Sequence, residues 1–188
     1  MIKASIYGAT GYAGIELVRL LHNHPKVKIV HLISNSFVGR PIQELYPNFF
    51  GFFEKNCSNA DMEVVAADSD VIFTALPHGV SSEVVPNFYK LGKKVIDLSG
   101  DFRYKSPEVY QTWYGIPHPH PDLLKVSVYG LPEIHRKSIK ESQIVGNPGC
   151  YTTCSILGMA PLVAENIIDL DSIIIDAKSG ATGAGRSP

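Results

Sequence analysis

Ile2-Lys-Ala-Ser-Ile-Tyr7, followed at once by Gly8-Ala-Thr-Gly11-Tyr-Ala-Gly14, is the stretch that decides the fold. The first six residues read as a short strand. Tyr12 to His22 then reads as a helix with a broad apolar face of Ile15, Leu17, Val18, Leu20 and Leu21, and Val27 to Ile33 as a second strand. Together they make one βαβ unit, and the glycine run occupies its first strand-to-helix turn. Glycines there permit a tight turn and close backbone approach to a pyrophosphate, which then rests on the helix N-terminus. The run therefore predicts dinucleotide binding through Gly8, Thr10, Gly11, Tyr12, Ala13 and Gly14.

The alternation continues outward from this unit. Val71 to Leu76, Lys94 to Leu98 and Gln143 to Gly146 read as strands, and Val80 to Leu91 and a segment starting at Cys150 as helices, the latter with a break or kink near Pro161. Ser172 to Ala177 reads as a final strand. Strands apolar on both faces and separated by helices predict an α/β fold, a Rossmann-type parallel sheet covered on both sides. Residues 35–59 and 101–121, rich in Pro, Gly, Asn and aromatics, read as loops or insertions, the usual carriers of site residues. The expected division is a nucleotide-binding domain over 1–149 and the start of an α+β catalytic domain over 150–188. The Gly-rich ending, Ser179 to Pro188, is of a kind that normally leads into more structure, so the second domain is expected to be incomplete here.

With 17 basic and 18 acidic residues spread along 188 positions, no basic stripe argues for nucleic acid and no acidic tail for disorder. The start lacks the features of a signal peptide and no apolar run is long enough to span a bilayer, so a cytoplasmic protein without membrane partners is expected. Three cysteines, Cys57, Cys150 and Cys154, fit no disulfide framework. Cys150 and Cys154 stand four apart, but no nearby His or Cys completes a metal site, and none is expected.

The end of the second strand, Ile33-Ser-Asn-Ser36, lacks the acid that would hold a ribose 2′-hydroxyl. Ser34, Asn35 and Ser36, with Arg40 beyond them, accept a 2′-phosphate without like-charge repulsion and favour NADP over NAD. A solvated loop position also accounts for Arg40. Ala75-Leu-Pro77-His-Gly79 closes the next strand at the edge where cofactors sit, although His78 also fits as a helix cap.

Gly146-Asn-Pro-Gly-Cys150-Tyr-Thr-Thr-Cys-Ser155 places a thiol directly after a Pro-Gly turn and at a helix start. The positive end of the helix dipole favours the thiolate there, and Gly149 leaves room for a substrate carbonyl. A small residue at a helix start for purely structural reasons also fits. The histidines His78, His118, His120 and His135 read as loop hydrogen-bonding groups rather than an acid/base.

With both turns in hand, the chain resembles the N-acetyl-γ-glutamyl-phosphate reductases, the arginine-biosynthesis branch of the semialdehyde dehydrogenase group. The blocks that carry the resemblance are the glycine run, Ala75-Leu-Pro-His-Gly79, Asp97-Leu-Ser-Gly-Asp-Phe-Arg103, Trp113-Tyr-Gly115, Tyr129-Gly-Leu-Pro-Glu133, Asn147-Pro-Gly-Cys-Tyr151, and Ala177-Lys-Ser-Gly180 with Gly183-Ala-Gly-Arg186. Departures are Gly100 for the usual Ala, Thr152 for Pro, and Ala181-Thr182 for Val-Ser. The resemblance implies NADPH-dependent reduction of N-acetyl-γ-glutamyl phosphate to the semialdehyde through a Cys150 thioester. It also implies cofactor contacts reaching Ser179 and Gly180, substrate contacts at Arg103, Asn147 and Arg186, and a homo-oligomer in the full-length form. A longer second domain, with a histidine acid/base, is implied beyond this chain. Rival readings are the lysine-pathway aminoadipyl-phosphate reductase, aspartate-semialdehyde dehydrogenase, and a nucleotide-binding module without turnover.

Overall fold

A computed structural model describes residues 1–185. Six strands, β1 (Ile2–Tyr7), β2 (Val27–Ile33), β3 (Val71–Thr74), β4 (Lys94–Asp97), β5 (Val128–Tyr129) and β6 (Ile144–Gly146), form one sheet in the order β2-β1-β3-β4-β6-β5. All pairs are parallel, with Tyr7 opposite Ile33 on one side and Thr74 on the other, and Asp97 opposite both Thr74 and Gly146. The principal helices are α1 (Tyr12–His22), α2 (Ile42–Leu45), α3 (Met62–Asp68), α4 (Ser81–Lys90), α5 (Pro107–Tyr114), α6 (Pro121–Val126), α7 (Pro132–Glu141) and α8 (Cys150–Ala164).

Burial on both faces follows from the alternation within β1. Tyr7 points into one core with Ile33, Ile72, Phe88, Val95 and Ile144, while Ile6 points into the other with Ile15, Val18, Ile29, Leu32 and Phe49. Each fully buried side chain of this size contributes about 1.5–3 kcal/mol, so a one-residue slip of β1 would forfeit both layers at once.

The order of strands positions the site. The chain leaves β1 toward β2 on one side and returns to β3 on the other, so a crevice opens at the carboxyl ends of β1 and β3. The loops after β4 and β6, which carry Asp97–Arg103 and Asn147–Cys150, lie along the same edge.

Several expectations change. Residues 172–177 form no strand: a short 3-10 turn, Leu170–Ser172, leads into an irregular segment in which Ile174 is 92% exposed. The three consecutive isoleucines, Ile173 to Ile175, suit a strand, but no strand among the described residues supplies the partner a ladder requires. Helix α8 is not broken at Pro161 and runs on to Ala164. The stretches read as loops contain α2 and α5. The latter is capped by Ser106, whose Oγ accepts from the Val109 amide, has Pro107 in its first turn, and ends at a left-handed Gly115.

Candidate active site

The crevice at the end of β1 has a volume of about 470 Å³ and is lined by the predicted residues Gly8, Thr10, Ser34 and Ser36, together with Tyr7 and Asn59 to Met62, which sequence reasoning did not single out. Its glycines do different work. A side chain on Gly8 would meet the Ala75 carbonyl oxygen at 2.2 Å, and φ there is +74°. One on Gly14 would meet the Gly8 carbonyl oxygen at 2.1 Å, so these two glycines let backbone pack on backbone. Gly11 is different: its nearest neighbour would be 3.5 Å away, and the position is exposed, as are Tyr12 and Ala13 beside it. The open space is thus at Gly11, where α1 starts without a side-chain cap or an acid in its first turn.

The floor of the crevice is held rigidly. The amides of Gly8 and Ala9 both donate to the Ile33 carbonyl, Thr10 and Ser34 share a hydroxyl hydrogen bond of 3.1 Å, and the Tyr46 hydroxyl donates to the Thr10 carbonyl at 2.8 Å. The Tyr7 hydroxyl is buried and has no protein partner. Burial and the Glu63 carboxylate push it up to about 12, so it stays a neutral donor at the crevice wall. A preformed cradle, an uncapped helix start and an orphaned donor fit a bound dinucleotide. Pro77 and Arg40 lie outside the crevice lining. Arg40 is exposed, stacks 4.3 Å from the Phe37 ring centroid and pairs with Glu44 at 2.7 Å.

Along the same edge, the Asp97–Arg103 loop is tied to both flanking turns. Asp97 is fully buried and accepts from the hydroxyls of Thr74 and Ser99 at 2.7 and 2.6 Å, and burial pushes its carboxyl up. Asp101 accepts from the amides of Gly79 and Ser82, each at 2.9 Å, and so caps the start of α4. The Gly100 amide donates to His78 Nδ1 at 2.7 Å, which places His78 in a loop hydrogen bond as expected. His118 likewise accepts from the His120 amide and packs edge-on against Phe102 and Tyr110.

Cys150 opens α8 and is exposed, with Gly149 as the extended residue before it. Together with Cys154, Ser155, Ile174, Ser179 and Gly180 it lines a hollow of about 660 Å³. Ser179 and Gly180 are thus brought to the thiol rather than to the crevice. Cys57 is buried, which pushes its thiol up. Arg103 reaches this turn: its Nε donates to the Asn147 carbonyl at 2.8 Å and its Nη2 to the Leu98 carbonyl at 2.9 Å. The space beside Gly149 is occupied by Arg103 Nη1, 3.1 Å from where a side chain would begin. That corrects the expectation that Gly149 makes room for a substrate carbonyl. The Asn147 side chain donates to the Pro148 carbonyl at 3.1 Å. Arg186 lies outside the described residues.

Residues 3–142 match the semialdehyde dehydrogenase NAD-binding domain, and residues 150–188 match the semialdehyde dehydrogenase dimerisation domain. The chain belongs to the semialdehyde dehydrogenase family. Among its curated relatives are the N-acetyl-gamma-glutamyl-phosphate reductases of Acetivibrio thermocellus, 54% identical over 186 residues, and Halothermothrix orenii, 53% identical over 186 residues. The chain spans about half the length of these relatives: 99% of it aligns with 54% of each. The fold is that of the aspartate semialdehyde dehydrogenase of Candida albicans, whose crystal structure with NADP superposes with a TM-score of 0.60 at 20% identity, covering 88% of this chain and 47% of that one. Among the described residues of this semialdehyde dehydrogenase chain, no helix is long and apolar enough to cross a membrane, and no three His, Cys, Asp or Glu side chains gather as a metal site.

Burial lowers the titration of His118 below its ordinary range, against a smaller opposing pull from Asp101. A depressed basic group stabilises the fold above its unfolded value of about 6.5 and loses that contribution as pH falls. Replacing His118 by Asn, whose Oδ1 can still accept from the His120 amide, is expected to cost stability at pH 7 through lost ring packing but to flatten the decline as pH falls below about 6.5. Thermal midpoints across that range check this, and parallel declines in both proteins would contradict it.

Proposed function

We propose that this chain carries the cofactor and nucleophile sites of an NADPH-dependent N-acetyl-γ-glutamyl-phosphate reductase, acting in arginine biosynthesis. The observation that carries the proposal is Cys150, exposed in the first turn of α8 on the edge of the sheet where the glycine crevice opens. The names of the curated relatives at about half identity favour this substrate over aminoadipyl phosphate or aspartyl phosphate.

In this reading the Cys150 thiolate attacks the γ-acyl carbon. The carbon–oxygen bond to phosphate breaks, phosphate departs with the electron pair, and a thioester remains. The backbone amide of Cys150 and the side-chain amide of Asn147 face the developing oxyanion, and the Nη1 end of Arg103, with Arg186, meets the phosphate charge. Gly8, Thr10, Gly11, Tyr12, Ala13 and Gly14 would hold NADPH, with Ser34, Ser36, Arg40, Pro77, Ser179 and Gly180 as its further contacts, and the bound cofactor would supply the hydride. Cys150 is then expelled from the resulting thiohemiacetal as the aldehyde forms. Splitting one hard displacement into two easier steps is what the thiol contributes.

The preference for the 2′-phosphate rests on the acid-free end of β2 and on Arg40. That side chain is held by a surface pair with Glu44, worth no more than about 1 kcal/mol, and by its stacking on the Phe37 ring, so a phosphate can draw its guanidinium away from the carboxylate. NADPH is expected to bind at least about tenfold more tightly than NADH, a difference of about 1.4 kcal/mol. Arg40→Ala should remove much of that margin in fluorescence titrations. Equal affinities for the two cofactors in the parent protein would sink the assignment. The full-length protein is read as a cytoplasmic homo-oligomer acting on a small acyl phosphate, without nucleic-acid or membrane partners, and sedimentation tests the assembly.

A further inference from the structure

Resting on the reading of Cys150 as nucleophile, we infer that Arg103 is the positioning residue of the thiol: its guanidinium locks the nucleophile turn onto the end of β4 and so aims the start of α8. The fork bridges two carbonyls that belong to different strands, Leu98 just past β4 and Asn147 just past β6. A planar guanidinium can hold both acceptors at once, whereas an ammonium is a point donor without that fixed fork. The backbone of the same loop is pressed into the turn as well. A side chain on Gly146 would strike the Phe102 carbonyl oxygen at 2.2 Å, and one on Gly149 would meet Arg103 Nη1 at 3.1 Å. The two glycines that flank Asn147-Pro148 are therefore shaped around residues 102 and 103.

The loop that delivers Arg103 is itself immobilised. Asp97 is buried in hydroxyl donors and its carbonyl accepts from the Asn147 amide at 2.7 Å, while Asp101 is fastened to the start of α4. Any rotation of the turn must break the Arg103 bridge or move a buried carboxylate. Charge adds a second argument. A cation beside a helix N-terminus is disfavoured unless an anion shares the site, and α8 has no acid in its first turn. The arrangement is complete only when a negative charge forms at Cys150 or on the group it attacks.

The test uses iodoacetamide, a small neutral probe whose rate does not depend on anion binding, with labelling sites mapped by mass. Arg103→Ala is expected to slow alkylation of Cys150 at pH 7 by about tenfold, with the Cys154 rate and NADPH affinity unchanged. Millimolar guanidinium should recover much of the rate, and Arg103→Lys should recover less than guanidinium does. Gly149→Ala, which pushes on Nη1 while keeping the arginine, should slow the same thiol by a smaller factor. Wild-type alkylation rates in folded Arg103→Ala, even with a raised KM for the acyl phosphate, would overturn the inference and leave Arg103 a substrate contact only. Should Arg103→Ala fail to fold, unchanged rates in both Arg103→Lys and Gly149→Ala would overturn it equally. Failure of the nucleophile reading is separate and shows in the parent protein, as a Cys150 no more reactive than Cys154.

Discussion

On the proposed function, replacing Cys150 by Ser in the full-length protein is expected to abolish semialdehyde formation, a loss of at least about a thousandfold, or roughly 4 kcal/mol of transition-state stabilisation. The hydroxyl occupies nearly the same space at an exposed helix start that serine tolerates well, so folding and NADPH binding should stay intact. What is lost is nucleophilicity: serine attacks only with a strong base beside it, and among the described residues no histidine hydrogen-bonds to this turn. Initial rates with acyl phosphate and a cofactor titration on the same preparation decide the matter. Residual turnover within tenfold of the parent would remove Cys150 from the chemistry.

The second large effect separates the glycines of the first turn. Gly11→Val is expected to eliminate measurable NADPH binding while leaving the thermal midpoint nearly unchanged. Its backbone is an ordinary extended one, with φ −75°, and a side chain there enters the open space rather than the protein. Gly14→Ala should do the reverse. Its methyl would lie 2.1 Å from the Gly8 carbonyl oxygen and 2.8 Å from the Ala9 Cα, backbone atoms that cannot turn aside, at a cost of about 3 kcal/mol or more. For a chain of this length that corresponds to a fall of roughly 6–12 °C in the thermal midpoint. A Gly11→Val protein that binds NADPH normally would show that the phosphates lie elsewhere.

The β1–α1–β2 unit was legible because glycine spacing, apolar periodicity and strand length agree over residues 2–33. Other parts were hidden for identifiable reasons. Helix α5 carries a full set of end signals, Ser106, Pro107 and Gly115, yet only Tyr110 is buried, so no apolar stripe announces it. Strand β5 has two residues and is defined wholly by its pairing with β6. The isoleucine run at 173–175 promises a strand, but strands exist only as pairs, and the described residues provide no partner. The glycine turn after β1 and the position of the thiol at a helix start could be read from residue types. Arg103 could not be read as a bridge, because one of its carbonyls is 5 residues away and the other 44. Tyr7 reads as a core aromatic, which it is; only the packing leaves its hydroxyl without a partner at the crevice wall.

The most direct test is to mix the protein with N-acetyl-γ-glutamyl phosphate in the absence of NADPH and follow intact mass and peptide maps. The expected result is a single N-acetylglutamyl adduct on the peptide that carries Cys150, cleaved by hydroxylamine, discharged when NADPH is added, and absent from Cys150→Ser. An adduct on Cys57 or Cys154, or one on the Cys150 peptide that persists in the serine variant, would contradict the account.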